Sequence, residues 1–122
     1  MPHLTTGKYI LDGHTPIEEP DLFKWGKWFG TVNRHVANDN FKDRHGNSIQ
    51  VSTVFLGMDH SFSTDEDHIP ILFETMIFGG EHNEDQYRYC TWDEAVIGHK
   101  IAILKARGEY DGVLEVYSQE KI

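Results

Sequence analysis

The sequence predicts an α+β domain: a mostly antiparallel sheet of about four strands, with an N-terminal helix and a capped C-terminal helix packed on one face. Three observations carry that expectation. Two runs rich in β-branched and aromatic residues, 48–57 and 71–78, are bounded by turn-forming clusters, Asp43-Arg44-His45-Gly46-Asn47 before the first and Gly79-Gly80 after the second. The segment 92–107 has the spacing of an amphipathic helix and opens on Thr91-Trp92-Asp93-Glu94. There the threonine hydroxyl can accept from the Glu94 N–H while the Glu94 carboxylate reaches back to the Thr91 N–H. Finally, 122 residues without internal repeats are enough for one core.

Taken in order, residues 8–11 read as a short strand closed by Asp12-Gly13. Thr15 and Glu18 imitate a helix start, but Pro20 would interrupt it, so a turn is expected there. Pro20 is better placed as the first residue of a helix over 20–29, with Asp21 complementing its dipole and Leu22, Trp25, Gly26 and Phe29 on one face. Trp25, Trp28 and Phe29 are core candidates. Residues 33–41 pair with 48–57 as a hairpin. Residues 58–69 lack a period and form an exposed loop with Pro70 at its exit. The strand over 71–78 has apolar residues on both faces, which suits a central position. After a polar turn over 81–86, residues 87–90 return antiparallel. Helix 92–107 carries a stripe of Ala95, Val96, His99, Ala102, Ile103 and Ala106, has Lys100, Lys105 and Arg107 towards its C-terminus, and stops at Gly108. Residues 109–122 add a short strand near 113–117 or fray. The chain is thus one domain, 1–122, with 108–122 as a loosely packed tail.

The formal net charge is −9, and it is unevenly placed. Between positions 59 and 94 stand ten carboxylates against a single cation of the Lys/Arg type, Arg88. Such a field repels nucleic-acid backbones, so direct nucleic-acid binding is not expected, and it attracts basic proteins. The partner-facing candidates are Asp59, Asp65, Glu66, Asp67, Glu81, Glu84 and Asp85. No run of about 18 apolar residues occurs and the N-terminus lacks the apolar stretch of a secretory signal, so no membrane association and a cytoplasmic location are expected. Cys90 is the only cysteine, which excludes an intrachain disulfide.

Catalytic motifs are absent. The serines lie in no nucleophile elbow, and Gly79-Gly80 lacks the Lys and Ser/Thr of a phosphate loop. Cys90 precedes a helix N-terminus, where a thiol is either activated by the dipole or packed inward. His99 lies on the inward helix stripe, as a hydrogen-bonded core histidine would. Glu74, inside an apolar strand, is either buried with a raised pKa or paired across the strands with Arg88 on the solvent face. A metal site is not favoured; its alternative ligand set is His60, Glu74 and His82, whose donor types suit zinc, manganese or iron. Adjacent strand residues point to opposite faces, so Asp59 and His60 cannot both reach one ion from a regular strand. No cofactor is implied.

The strings Val51-Ser52-Thr53-Val54-Phe55-Leu56-Gly57-Met58-Asp59-His60, Ile71-Leu72-Phe73-Glu74-Thr75-Met76-Ile77-Phe78-Gly79-Gly80 and Tyr89-Cys90-Thr91-Trp92-Asp93-Glu94-Ala95, with Gly98-His99, resemble a family of small uncharacterised proteins of bacteriophages and prophages. Pro20-Asp21-Leu22, Trp25 and Trp28-Phe29 fit the same pattern, so the resemblance spans about 9–107. It implies a setting, a phage-type accessory protein in the cytoplasm of a bacterial host, and assigns no role to any residue. The function expected is binding rather than catalysis: an interaction or inhibitory module whose acidic surface meets a host or phage protein with a basic surface. The alternatives are a small metal-assisted hydrolase and a small-ligand binder with a pocket between sheet and helix.

Overall fold

In the computed structural model, which describes residues 6–61, 63, 65, 67–109 and 120–121, the chain opens on an antiparallel ribbon, β1 (Tyr9–Asp12) and β2 (Thr15–Glu18). The turn expected at Thr15–Glu18 is therefore a strand, with Leu11 opposite Pro16. The cause is that β2 has one neighbour only, and proline, lacking an N–H, is tolerated on such an edge. Helix α1 (Leu22–Thr31) follows. It begins after Pro20 because Asp21 is the N-cap, its Oδ1 accepting from the N–H of Phe23 at 2.9 Å and of Lys24 at 3.1 Å. Trp25 donates its indole N–H to the Gly57 carbonyl at 2.9 Å, and Trp28 meets Phe55 edge-on at 5.7 Å between centroids. Leu22, expected on the inward face, is 61% exposed, because the face turned to the sheet runs through Trp25, Trp28 and Phe29.

Four strands then form an antiparallel meander: β3 (His35–Lys42), β4 (Ser48–Phe55), β5 (Phe73–Phe78) and β6 (Gln86–Tyr89). The two-residue strand β7 (Glu120–Lys121) pairs on the far side of β6. The β3–β4 turn is held by Asp43, whose Oδ1 accepts from the N–H groups of His45 and Asn47, both at 2.9 Å. Strand periodicity sorts the side chains into two faces. Ile49, Val51, Thr53 and Phe55 of β4, Phe73, Thr75 and Ile77 of β5, and Tyr87 and Tyr89 of β6 are buried on one face. Gln50, Ser52 and Val54, with Glu74, Met76 and Arg88, are half-buried on the other.

Helix α2 (Trp92–Arg107) lies across the buried face, packed against β3, β4, β5 and β6. Its capping box is complete. Thr91 Oγ1 accepts from the Glu94 N–H at 3.1 Å, and Glu94 Oε1 accepts from the N–H groups of Thr91 and Cys90, each at 3.1 Å. Gly108, at φ 83°, ends the helix in the left-handed region that a side chain disfavours. Small residues let the helix approach: Ala95, Gly98 and Ala102 are buried, and a Cβ at Gly98 would lie 2.2 Å from the Tyr89 hydroxyl. The strand considered near 113–117 lies outside the described residues.

Candidate functional site

The acidic positions do not share one face. Because β5 runs from Phe73 to Phe78 and β6 returns beside it, the loop over 56–72 and the start of α2 lie at one end of the sheet. The turn over 79–85 and the end of α2 lie at the other. A six-residue strand separates these ends by roughly 20 Å. At the first end Asp65, Asp67 and Asp93 are exposed, while Glu66 lies outside the described residues. At the second end Glu81 and Glu84 are exposed, but Asp85 is half-buried and compensated, with Lys105 Nζ at 3.5 Å and His82 Nδ1 at 3.1 Å from its Oδ2. Glu81 also borders a small recess shared with Arg44 and Arg107.

Asp59, expected on the partner-facing surface, is turned inward, with its side chain only 10% exposed. The reason is local: Oδ1 accepts from the Ser61 N–H at 2.8 Å and the Ile71 N–H at 3.0 Å, while Oδ2 takes His68 Nε2. Burial by itself would raise the Asp59 carboxyl, but the His68 hydrogen bond and the two backbone N–H groups outweigh it and hold the group below its ordinary value. The Cys90 thiol is pushed up, first by burial and then by the charges of Glu94 and Asp59. Both influences act against thiolate formation, the opposite of what activates a nucleophilic cysteine.

The alternative metal ligands are engaged separately. His60 Nδ1 lies 2.8 Å from the Met58 carbonyl, Glu74 Oε2 accepts from Arg88 Nε at 2.9 Å as a cross-strand pair, and His82 faces Asp85. Glu74 is near the start of β5 and His82 beyond its end, so the three do not converge. Among the described residues, no three or more His, Cys, Asp or Glu side chains are grouped to hold an ion.

What the sequence reading missed is a polar chain through the core. His99, 4% exposed, places Nε2 2.7 Å from Asp39 Oδ2 and Nδ1 2.7 Å from Thr53 Oγ1; Thr53 Oγ1 is 2.5 Å from Thr75 Oγ1, to which the Tyr89 hydroxyl donates at 3.2 Å. With the imidazole proton on Nε2 every donor finds an acceptor in one direction: Tyr89 to Thr75, Thr75 to Thr53, Thr53 to His99, His99 to the Asp39 carboxylate. Burial pushes the Tyr89 phenol up to about 12, so it stays a donor. The order carboxylate, imidazole, hydroxyl is that of a nucleophilic triad, but Thr53 is fully buried, and a reactant must come within about 3 Å of the attacking oxygen. The open groove bounded by Asn40, Gln50 and Phe78 does not reach it. The chain ties α2 to β3, β4, β5 and β6. The signal was in the pattern: Thr53 and Thr75 are in phase with Val51 and Ile77, so both hydroxyls had to be satisfied inside.

No protein-family model matches the sequence, and comparison with curated proteins and with solved structures gives no match. Among the described residues, no helix is long and apolar enough to cross a membrane.

Proposed function

We propose that the protein works by binding and not by catalysis, as an interaction or inhibitory module that meets a basic protein surface through the acidic end of the sheet. The observation that supports this reading is the partition of charge. Carboxylates at the Asp65, Asp67 and Asp93 end stand exposed, whereas at the opposite end, where Glu81 and Glu84 are exposed as well, Asp85 is paired with Lys105 and Glu81 shares a recess with Arg44 and Arg107. Exposed like charges steer an oppositely charged partner and lose that effect as salt screens them. The same field disfavours phosphate backbones, so a protein that itself binds nucleic acid is a suitable partner and a nucleic acid is not. The partner proposed is a host or phage protein of the bacterial cytoplasm, a setting supported by the resemblance in sequence to phage proteins.

Capture from bacterial lysate at low and high salt tests the proposal, using wild type, the D65K/D67K/D93K variant and the E81K/E84K variant. A basic partner retained at low salt, released at high salt and lost only with the first variant is the expected result. Equal loss with both variants, or no salt-sensitive partner, sinks the reading.

A further inference from the structure

His68 sits in the loop between β4 and β5 with both ring nitrogens facing acceptors. Nε2 contacts Asp59 Oδ2 and Nδ1 contacts the Asp65 backbone carbonyl. A neutral imidazole carries one hydrogen and can serve only one of them, whereas an imidazolium serves both. We propose that His68 is a protonation latch: as the imidazolium it ties the Asp65 carbonyl to the Asp59 carboxylate, and on losing one proton it releases the Asp65 side.

Asp59 is the fixed half of the latch. Its Oδ1 is anchored by the N–H groups of Ser61 and Ile71, and its own N–H donates to the Gly7 carbonyl at 2.8 Å. Neutral His68 keeps Nε2–H on the carboxylate, the stronger acceptor, and turns the Nδ1 lone pair on the Asp65 carbonyl. That carbonyl also accepts the His68 N–H at 3.2 Å, so repulsion between the lone pairs acts directly on the turn carrying Asp65 and Asp67. The charged and titratable groups around the pair are Asp65, Asp67 and His60 of the same loop, Cys90 and Glu94 at the β6–α2 junction, and Lys8 of the segment pairing with Met58, its ammonium over the Trp25 ring. Glu66 of the same loop lies outside the described residues.

The titration directions agree with this geometry. The Asp59 hydrogen bond, then the Asp65 carbonyl, hold His68 above its ordinary range against the opposing effect of burial. A raised histidine contributes stability that is full below its unfolded value and is lost as pH rises through the folded one. The depressed Asp59 contributes stability present above its unfolded value and lost as pH falls through the folded one. The latch is closed between those limits. It is independent of what the loop binds.

The test is ¹⁵N NMR of the imidazole rings across pH, with amide exchange at His68 and Ile71, on wild type and D59N. In wild type, His68 should be doubly protonated at pH 6, with its midpoint above that of the urea-denatured chain. As the ring deprotonates, the His68 amide should lose protection relative to Ile71. In D59N the asparagine oxygen still accepts from Ser61 and Ile71, but its NH₂ donates to Nε2. His68 should then be neutral with its proton on Nδ1, and the relative protection should no longer follow pH. A neutral wild-type ring at pH 6, or a wild-type midpoint at or below that of the denatured chain, would falsify the latch. Both readouts on wild type stand even if D59N fails to fold.

Discussion

Thr53 and His99 are polar side chains placed where the core gives them no water, and each is tolerated because the other is there. Thr53→Val keeps the shape and removes the hydroxyl, leaving His99 Nδ1 and the Thr75 proton without partners; it should destabilise the fold by about 1–3 kcal/mol, the cost of stranding buried polar groups. Adding Thr75→Val removes one of the stranded groups, so in urea denaturation the double variant should lose less than the sum of the singles. Gly98→Ala sets two effects against each other. Alanine favours helix by about 0.8–1.0 kcal/mol, but its Cβ would meet the Tyr89 hydroxyl at 2.2 Å. Both sides of that contact are buried, so overpacking, which costs typically about 1–3 kcal/mol, should win and the melting temperature should fall. At this scale the sequence disclosed pairs within a register, such as Glu74 with Arg88, and a buried His99 from its helix stripe. It did not disclose the partners of His99 and Asp59, because those lie 60 and 9 residues away and their approach is set by how the helix and loop dock.

Elements whose boundaries depend on chemistry within four residues were legible, and those that depend on a neighbour were not. The last helix was readable to its end residues because Thr91, Glu94 and Gly108 carry its caps themselves. β2 was misread because Pro20 rules out a helix at Thr15–Glu18 and the pairing with β1 that makes it a strand is not local to it, and the start of α1 moved because Asp21 caps the helix instead of joining it. The capping box makes a quantitative prediction. Thr91→Ala removes the acceptor for the Glu94 N–H and should cost about 1 kcal/mol, within the usual 0.5–2 for such caps. Glu94→Ala frees two N–H groups, those of Cys90 and Thr91, and should cost about as much. Each change alone breaks the reciprocal box, so chemical denaturation of the double variant should show less than the sum. A Thr91→Ala change below about 0.3 kcal/mol would contradict the cap.

Across the whole molecule the same unit of charge should have opposite worth at the two ends of the sheet. The ten carboxylates between positions 59 and 94 read as one acidic stretch in the sequence, but the β5–β6 turn carries three of them, Glu81, Glu84 and Asp85, to the end where α2 finishes, beside Lys105 and Arg107. That folding-back is a property of topology, which is why a linear count of charge could locate acidity and not its surface. Asp67 is exposed among like charges, so Asp67→Asn should relieve repulsion and leave stability unchanged or raised by a few tenths of a kcal/mol, within the roughly 0.5 typical of surface changes. Asp85 is largely covered and faces His82 and Lys105. Asp85→Asn weakens both pairs and should lower stability by about 0.2–1 kcal/mol, the range for partly exposed ion pairs. Salt gives a second reading of the two cases. Raising ionic strength from low values to about 0.15 M shortens the screening length to about 8 Å, which should narrow the difference between the variants because it damps both repulsion at one end and attraction at the other. Urea denaturation of both variants at two salt concentrations reads out all four values, and a loss of equal size from Asp67→Asn and Asp85→Asn would show that the acidic charge is not partitioned between the ends as described.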